Sequence, residues 1–427
     1  MKPVLALFAF VFLQSLFGAS ATPTPSPAIM HTLASSAEKE LRQNILPFWI
    51  QHVPDRENGG FYGLIGPDLV IKKDAPRGAL ITCRILWTFS AAYRVFHDDA
   101  YRAMAQLAYD DLLKHFWDEE QGGLYWTVTS KGKPLDQRKQ VYLQAFGIYA
   151  LSEYSRAAGN NTAKEQAIAL YRLVEARASD PVNGGYFEAY SRDWKRAAAD
   201  EPSVMGRQAP KSQNTHLHVM EAFTGLLRIW PDETLKQRQH QLIELMLTRI
   251  FDPIHHHLYL FQDEAWKPLS DEISYGHDIE ASWLLPEAAG VLGDPELVAK
   301  CNRAAVEIAR VILKEGVDTD GAIINTGGPH GYIDTHKDWW PQAEAVVGFL
   351  NAYELSHEAP FLDAAQKTWR FIDQRFVDHV NGEWFETLTR EGKPLPRPKV
   401  SLWKCPYHNG RVCLEVIERA PALISGK

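Results

Sequence analysis

The segment from Lys211 to Trp230 reads KSQNTHLHVMEAFTGLLRIW. At helical spacing Asn214, His218 and Glu221 fall at i, i+4 and i+7 and share one face. Val219, Phe223, Leu226 and Ile229 form an apolar stripe on another face. A helix that turns its polar side to water fills that side with Lys and Glu. This one carries an amide, an imidazole and a carboxylate, with no lysine between Asn214 and Trp230. Such a face suits the lining of a cavity, although a surface helix with an incidental histidine has the same spacing. Recurrence along the chain separates the two readings.

A helical stretch ending near Phe-Trp or Phe-Asp is followed by an acidic turn, a glycine pair and a short aromatic segment. Copies are FWIQHVPDRENGGFYGLI from Phe48, FWDEEQGGLYWTV from Phe116 and SDPVNGGYFEAY from Ser179. Weaker copies are FDPIHHHLYLF from Phe251, EGVDTDGAIIN from Glu315 and FVDHVNGEWFETL from Phe376. Gly60, Gly123, Gly185, His257, Gly321 and Gly382 mark equivalent positions 61 to 72 residues apart, a near-constant period that indicates a repeat architecture. A helix precedes each turn, as in Asp98–Phe116, Thr162–Ala178, Glu233–Phe251, Pro295–Glu315 and Pro360–Phe376, with the charge spacing of an outer, solvent-facing helix. A second helix follows each turn: Arg77–Phe96, Arg138–Ala157, Lys211–Trp230, Gly276–Leu292, Trp339–Leu355 and Ser401–Ala420. These are richer in aromatic and small residues and carry the unusual polar groups. The reading is all-α: an (α/α)6 barrel of six helix-pair repeats, with short β-hairpins on one rim and a cavity along the inner helices. A straight solenoid is the alternative, but six repeats closing on themselves better suit one compact enzyme.

The 427 residues are therefore expected to form one catalytic domain over 31–427. Lys2, the apolar run Val4–Phe17 and Ala19-Ser20-Ala21 read as a signal peptide over 1–21, followed by an extended linker over 22–30 rich in Thr and Pro. The mature protein is expected in the periplasm or outside the cell, free of the membrane, as a monomer or weak dimer. A net charge of −8 and a pI near 6.1, with no basic run, argue against nucleic acid as a partner. Thirteen tryptophans fit a protein that stacks sugar rings. Four cysteines (Cys83, Cys301, Cys405, Cys413) do not make a disulfide scaffold, and whether Cys405 and Cys413 pair is left open.

The barrel brings together Arg84, Tyr142, His218, His277 with Glu280, Trp340 with Glu344, and Trp403 with His408. Proton transfer at carbon uses this set. Neutral imidazoles act as bases, and cationic neighbours lower their pKa. Glu280, one turn after His277, is placed to orient that ring. Arg84 is placed to stabilise an oxyanion beside the carbon that loses its proton. Two histidines on opposite faces of a planar intermediate would remove a proton on one side and return it on the other. Metal binding is the competing use, but His216 and His218 have the wrong spacing and no third ligand is fixed, so neither metal nor cofactor is expected. The run His255-His256-His257 reads as a solvated turn. No phosphate loop, GxSxG elbow or dinucleotide fingerprint is present.

At NTHLHVMEAFTGLLRIW, SYGHDIEASWLL, DWWPQAEA and SLWKCPYHNGR, the chain resembles the N-acylglucosamine 2-epimerase superfamily, and within it the cellobiose 2-epimerases, from about Leu41 to Glu418. The resemblance implies a cofactor-independent (α/α)6 enzyme that inverts C2 of the reducing-end glucose of β-1,4-linked disaccharides such as cellobiose and lactose. It implies His277 and His408 as an acid/base pair working through a cis-enediolate, and His218 as a third essential histidine. Glu280 would support His277, and Arg84 would sit at the enediolate oxygens. Tyr142, Asn214, Trp340 and Trp403 would contact the sugars, and Glu344 is grouped with these substrate-facing residues. Ala197–Pro210 is less acidic than the family's usual loop. Rival readings are a mannose isomerase or N-acylglucosamine 2-epimerase acting on monosaccharides, an (α/α)6 glycoside hydrolase using Glu280 and Glu344, and a non-catalytic sugar-binding protein.

Overall fold

A computed structural model describes residues 27–196 and 206–425. The expected signal peptide, the start of the linker and residues 197–205 of the weakly acidic loop lie outside them. In chain order the helices begin with α1 (Pro27–Glu40), α2 (Leu46–His52), α3 (Ala79–Phe96), α4 (Asp99–Asp111), α5 (Val141–Ala158), α6 (Asn161–Ala178) and α7 (Gln213–Leu227). They continue with α8 (Glu233–Leu245), α9 (Tyr275–Leu292), α10 (Pro295–Glu315), α11 (Trp339–Ser356), α12 (Ala359–Phe371) and α13 (Tyr407–Ser425). α1 and α2 are two halves of one outer helix, joined by a wide π turn at Leu41–Ile45. The linker expected to run extended to Met30 is therefore helical from Pro27.

The odd-numbered helices from α3 to α13 touch in ring order, and α13 returns to α3. The outer helices pack around them, with α1 against α13. This is the expected (α/α)6 barrel. The inner helices are buried on nearly every side, because one face meets the cavity and the other meets the outer ring. In α7 every residue except Gly225 is buried. The surface-helix reading of this segment is excluded.

Four inner helices, α3, α5, α7 and α13, start later than their sequence pattern predicts, the first three because the residues ahead of them are used in sheet pairing. α11 starts at Trp339 as expected, and α9 at Tyr275, one residue earlier. Arg77, Lys139, Lys211, Ile273 and Lys337 pair antiparallel with Val128, Tyr190, Gln262, Gly327 and Leu388, each on the next repeat's hairpin. The bridge Ile65–Val400 closes the circle between the first and last repeats. The last inner helix is shortened most. Pro406 disfavours helix at the residue before it, so α13 begins at Tyr407 and Trp403 lies in the preceding turn, capped by the Ser401 hydroxyl.

Each acidic turn is built around one aspartate. Asp118 accepts the backbone N–H groups of Glu120 and Gln121, and Asp180 those of Val182 and Asn183. A buried lysine from the start of the next inner helix reaches back to the turn. Lys139–Asp118, Lys211–Asp180 and Lys399–Asp378 are 2.9, 2.7 and 2.7 Å apart. The backbone pairing Asp180 N to Gly185 O recurs as Asp318 N to Ala322 O and Asp378 N to Glu383 O. The equivalent residues in repeats 5 and 6 are therefore Ala322 and Glu383, one position beyond the glycines chosen from sequence. His257, expected in a solvated turn, is buried, with Nδ1 2.7 Å from Asp278 and Nε2 3.3 Å from Glu315. All four cysteines are free and buried, so Cys405 and Cys413 are not paired. Among the described residues no helix is long and apolar enough to cross a membrane.

Two glycines separate backbone strain from crowding. Gly185 has φ +75°, and a Cβ there would lie 2.6 Å from both His216 Nε2 and the Trp266 ring. Gly59 has φ +79°, with nothing within 4 Å of the added atom. Gly59→Ala should cost about 1 kcal/mol and Gly185→Ala roughly 2–4 kcal/mol, since overpacking adds to the strain. Equilibrium denaturation of both variants checks the difference.

Candidate active site

The inner helices present their polar residues in layers. Arg84, Phe146, His218, Glu280 and Glu344 each occupy the sixth position of their helix, and Arg411 the fifth of α13. Tyr142, Asn214, Trp340 and His408 occupy the second position and His277 the third. At 1.5 Å per residue the two layers are about 6 Å apart. Matching depth is what the barrel reading requires, and it delivers one cavity of about 350 Å³. Arg84, Tyr142, Asn214, His218, His277, Glu280, Trp340, Trp403 and His408 all line it, together with Asp338, Trp339 and Glu386. Of the residues given a site role from sequence only Glu344 stands behind the wall, as does Glu221, which the sequence put on the same face as Asn214 and His218.

Glu344 is the partner of His408. Its Oε1 lies 2.7 Å from His408 Nδ1 and accepts from Arg411 Nη2 at 2.8 Å, while Trp283 Nε1 donates to its Oε2 at 3.0 Å. A carboxylate can only accept, so His408 carries its proton on Nδ1 and presents the Nε2 lone pair. His218 is fixed in the same way, Nδ1 2.8 Å from Glu221 Oε2. His277 differs. Glu280 does not orient it; Glu280 accepts from Arg411 Nη2 at 2.6 Å, and His277 Nδ1 instead meets the Ser274 hydroxyl at 2.7 Å. A hydroxyl donates or accepts, so His277 is free to hold its proton on either nitrogen. The Trp340 ring adjoins both His277 and His408, with centroids 4.7 and 5.7 Å away.

Arg411 ties the layer together. Its guanidinium donates to Glu280, Glu344, Glu221 and the Tyr407 hydroxyl, and Tyr407 donates to Glu221 at 2.6 Å. Glu280, Glu344 and His408 bring one ligand atom each within 4.8 Å of one another, a spacing compatible with a metal ion. The Arg411 guanidinium is already hydrogen-bonded to both carboxylates and supplies the positive charge such an ion would bring. Across the cavity Arg84 donates to Tyr142 Oη at 2.7 Å and lies over the Phe146 ring at 4.4 Å.

Burial is the first cause of the titration behaviour here, ahead of the cationic neighbours expected from sequence. It lowers His277 to about 3, helped by His218 and His408, and lowers His408 to about 3 despite Glu344. His218 is lowered by the same cause. All three imidazoles are therefore neutral at physiological pH. Burial raises Tyr142 to about 12, so its phenol keeps its proton. Burial and the Glu344 charge hold Glu280 well above the usual carboxylate range, whereas Arg411 and His408 outweigh burial to hold Glu344 near 2.

Sequence reasoning gave no site role to Arg411, to Glu221 beyond its place on the His218 face, or to Tyr407, Ser274, Asp338, Trp339 and Glu386. The first two had a signal. Glu221 follows His218, and Arg411 follows His408, at the same i, i+3 spacing that drew attention to Glu280 after His277.

The N-acylglucosamine 2-epimerase family matches residues 59–409. A cellobiose 2-epimerase of Bacteroides fragilis is 42% identical over 388 residues, covering 90% of this chain and 98% of that protein. A cellobiose 2-epimerase of Dictyoglomus turgidum is 39% identical over 391 residues, covering 91% and 99%. The solved structure of cellobiose 2-epimerase from Bacillus thermoamylovorans superposes with a TM-score of 0.87 at 43% identity, covering 91% of this chain and all of that one. With the fold, the layered histidines and this breadth of match in agreement, the chain belongs to the N-acylglucosamine 2-epimerase family.

Proposed function

We propose that the protein epimerises C2 of the reducing-end glucose of a β-1,4-linked disaccharide such as cellobiose or lactose, through a cis-enediolate. The observation that carries this reading is the pair of neutral, buried imidazoles of His277 and His408 on one cavity. The similarity to cellobiose 2-epimerases over nearly the whole chain supports it. Ring opening places a carbonyl at C1 and makes the C2 proton acidic. His408, held by Glu344 with its Nε2 lone pair available, removes or receives that proton on one side. His277, carrying a second proton in the reacting complex with the Ser274 hydroxyl accepting from its Nδ1–H, delivers its Nε2 proton to the other face, and the two rings exchange roles in the reverse reaction. Arg84 and the Tyr142 hydroxyl stabilise the enediolate oxygens with charge and hydrogen bonds already in place. His218, fixed by Glu221, and Asn214 hold the reacting sugar, with Trp340 and Trp403 as its stacking surfaces. Glu280 and Glu344 both face Arg411, an arrangement that leaves neither free to flank a glycosidic bond as a hydrolase would need.

We also infer from Lys2, the apolar run Val4–Phe17 and Ala19-Ser20-Ala21 that the chain is exported and trimmed near Thr22. The mass and cell fraction of the mature protein test this.

Incubation with cellobiose in D2O should give an intact disaccharide with a mannose-type reducing end and deuterium at C2. Free glucose, a ketose end or an unchanged sugar would each replace the epimerase reading. His408→Ala should lower kcat by roughly 10²–10⁴-fold with the fold retained; undiminished turnover removes His408 from the mechanism.

Acid stability follows from the same histidines. His216, His277 and His408 are lowered to about 4, 3 and 3, so the unfolded chain binds protons near pH 6 that the folded chain refuses. Stability from these groups is complete above pH 6.5 and is lost as pH falls toward 4. Buried Glu188, raised to about 7, and Glu280, held well above the usual carboxylate range, work in the opposite sense, two protons against the four refused by these histidines and His218. Thermal unfolding should therefore shift to lower temperature between pH 6.5 and 4.5.

A further inference from the structure

On one side of the cavity mouth lies a wall that no role above uses, made of Asp338, Trp339 and Glu386. Asp338 sits directly ahead of α11, in a two-residue ladder that pairs it with Thr387. Trp339 N donates to the Glu386 carbonyl at 3.0 Å, so the two segments are locked edge to edge. Asp338 Oδ1 accepts from the Thr387 hydroxyl at 2.7 Å, and its backbone N–H is held by Asn325 Oδ1 at 2.9 Å. The wall is rigid, yet its chemistry is unfinished. Trp339 is 5% exposed and its indole N–H has no partner. Glu386 Oε2 is buried and also has none. A buried donor or acceptor without a partner costs roughly 1–3 kcal/mol, so a pair of them on a cavity wall points to a ligand that satisfies both.

We propose that Trp339 Nε1 and Glu386 Oε2, buttressed by Asp338, form the hydroxyl-binding subsite for the sugar attached to O4 of the reacting glucose. A sugar hydroxyl both donates and accepts, so it satisfies a carboxyl oxygen and an indole N–H together. Depth assigns the ring. Arg84 and Glu280 lie in the second turn of their helices and His277 and His408 in the first. Asp338 precedes its helix, and Glu386 lies on the hairpin rim above. A disaccharide whose C2 reaches the histidines places its second ring at this level. The edge of Trp339 also faces His408, with ring centroids 6.3 Å apart, so the wall begins where the histidine layer ends. Burial raises both Asp338 and Glu386, which favours hydrogen bonding to neutral hydroxyls over pairing with a cation. This inference rests on the epimerase reading.

Steady-state kinetics on cellobiose for the full mature chain, Glu386→Gln and Trp339→Phe provide the test. Glu386→Gln keeps size but replaces a carboxyl oxygen with an NH2 donor, Trp339→Phe removes the indole N–H together with part of the ring, and retained thermal unfolding confirms the fold. The expected result is a rise in KM of about tenfold in each, with kcat changed less than threefold. A KM within threefold of the parent in both variants, whatever happens to kcat, overturns the subsite. A parent protein that leaves cellobiose unchanged defeats the epimerase reading instead, so the two failures are distinguishable.

Discussion

One buried guanidinium governs the centre of this barrel. Arg411 on the last inner helix meets carboxylates from three others, Glu221 on α7, Glu280 on α9 and Glu344 on α11. All four side chains are 2% exposed or less. Three carboxyl groups so close together do not all ionise in a medium that screens poorly: burial and the Glu344 charge keep Glu280 protonated, and the arginine stabilises the charges of Glu221 and Glu344. Removing one partner of such a cluster costs roughly 3–5 kcal/mol, because the remaining charge is left buried. The same cluster selects histidine tautomers. Glu221 gives one oxygen to Arg411 and the other to His218 Nδ1, while Glu344 meets both Arg411 and His408 Nδ1 through Oε1. Structural cohesion and the orientation of the histidines thus draw on the same atoms.

This coupling explains why neutral histidines survive beside carboxylates. An isolated carboxylate 2.7 Å from an imidazole would favour imidazolium. Here burial opposes any new charge, and Arg411 has already claimed much of the negative potential. His408 and His218 remain neutral yet oriented, the condition for a base that works near neutral pH. His277 reaches neutrality by another route, with a serine in place of a carboxylate. Two bases of similar proton affinity and different freedom of tautomer suit a reaction in which the proton returns to the opposite face.

The fold was legible because its signals are periodic. Acidic turns and following helices recur often enough to reveal six repeats, and the layer positions follow once the helices are placed. A further signal went unread: Arg77, Lys139, Lys211, Lys337 and Lys399 recur 62 to 126 residues apart, each a buried cation just ahead of an inner helix. The cavity lining was legible for the same reason, since nine of the ten residues given a site role face it. Pairwise partners were not legible. Glu280 is one turn from His277, but the ring-wide pull of Arg411 on α13 takes it away, and no local spacing reports that competition. Glu344 was read as facing sugar because helix position fixes depth and not which neighbour claims the carboxylate. Asp338, Trp339 and Glu386 depend on a two-residue ladder between distant segments, which leaves almost no trace in hydrophobic pattern.

Closure of the ring through Ile65–Val400, with α1 packed on α13, has a consequence for biosynthesis. His408 and Arg411 belong to α13, so a growing chain lacks the imidazole partner of Glu344 and the cation facing the core carboxyl groups until that helix is made. The five earlier inner helices can pair with their neighbours in turn, but Glu221, Glu280 and Glu344 face one another without the Arg411 counter-charge until α13 emerges. A nascent chain released early is left an open arc with an acidic interior.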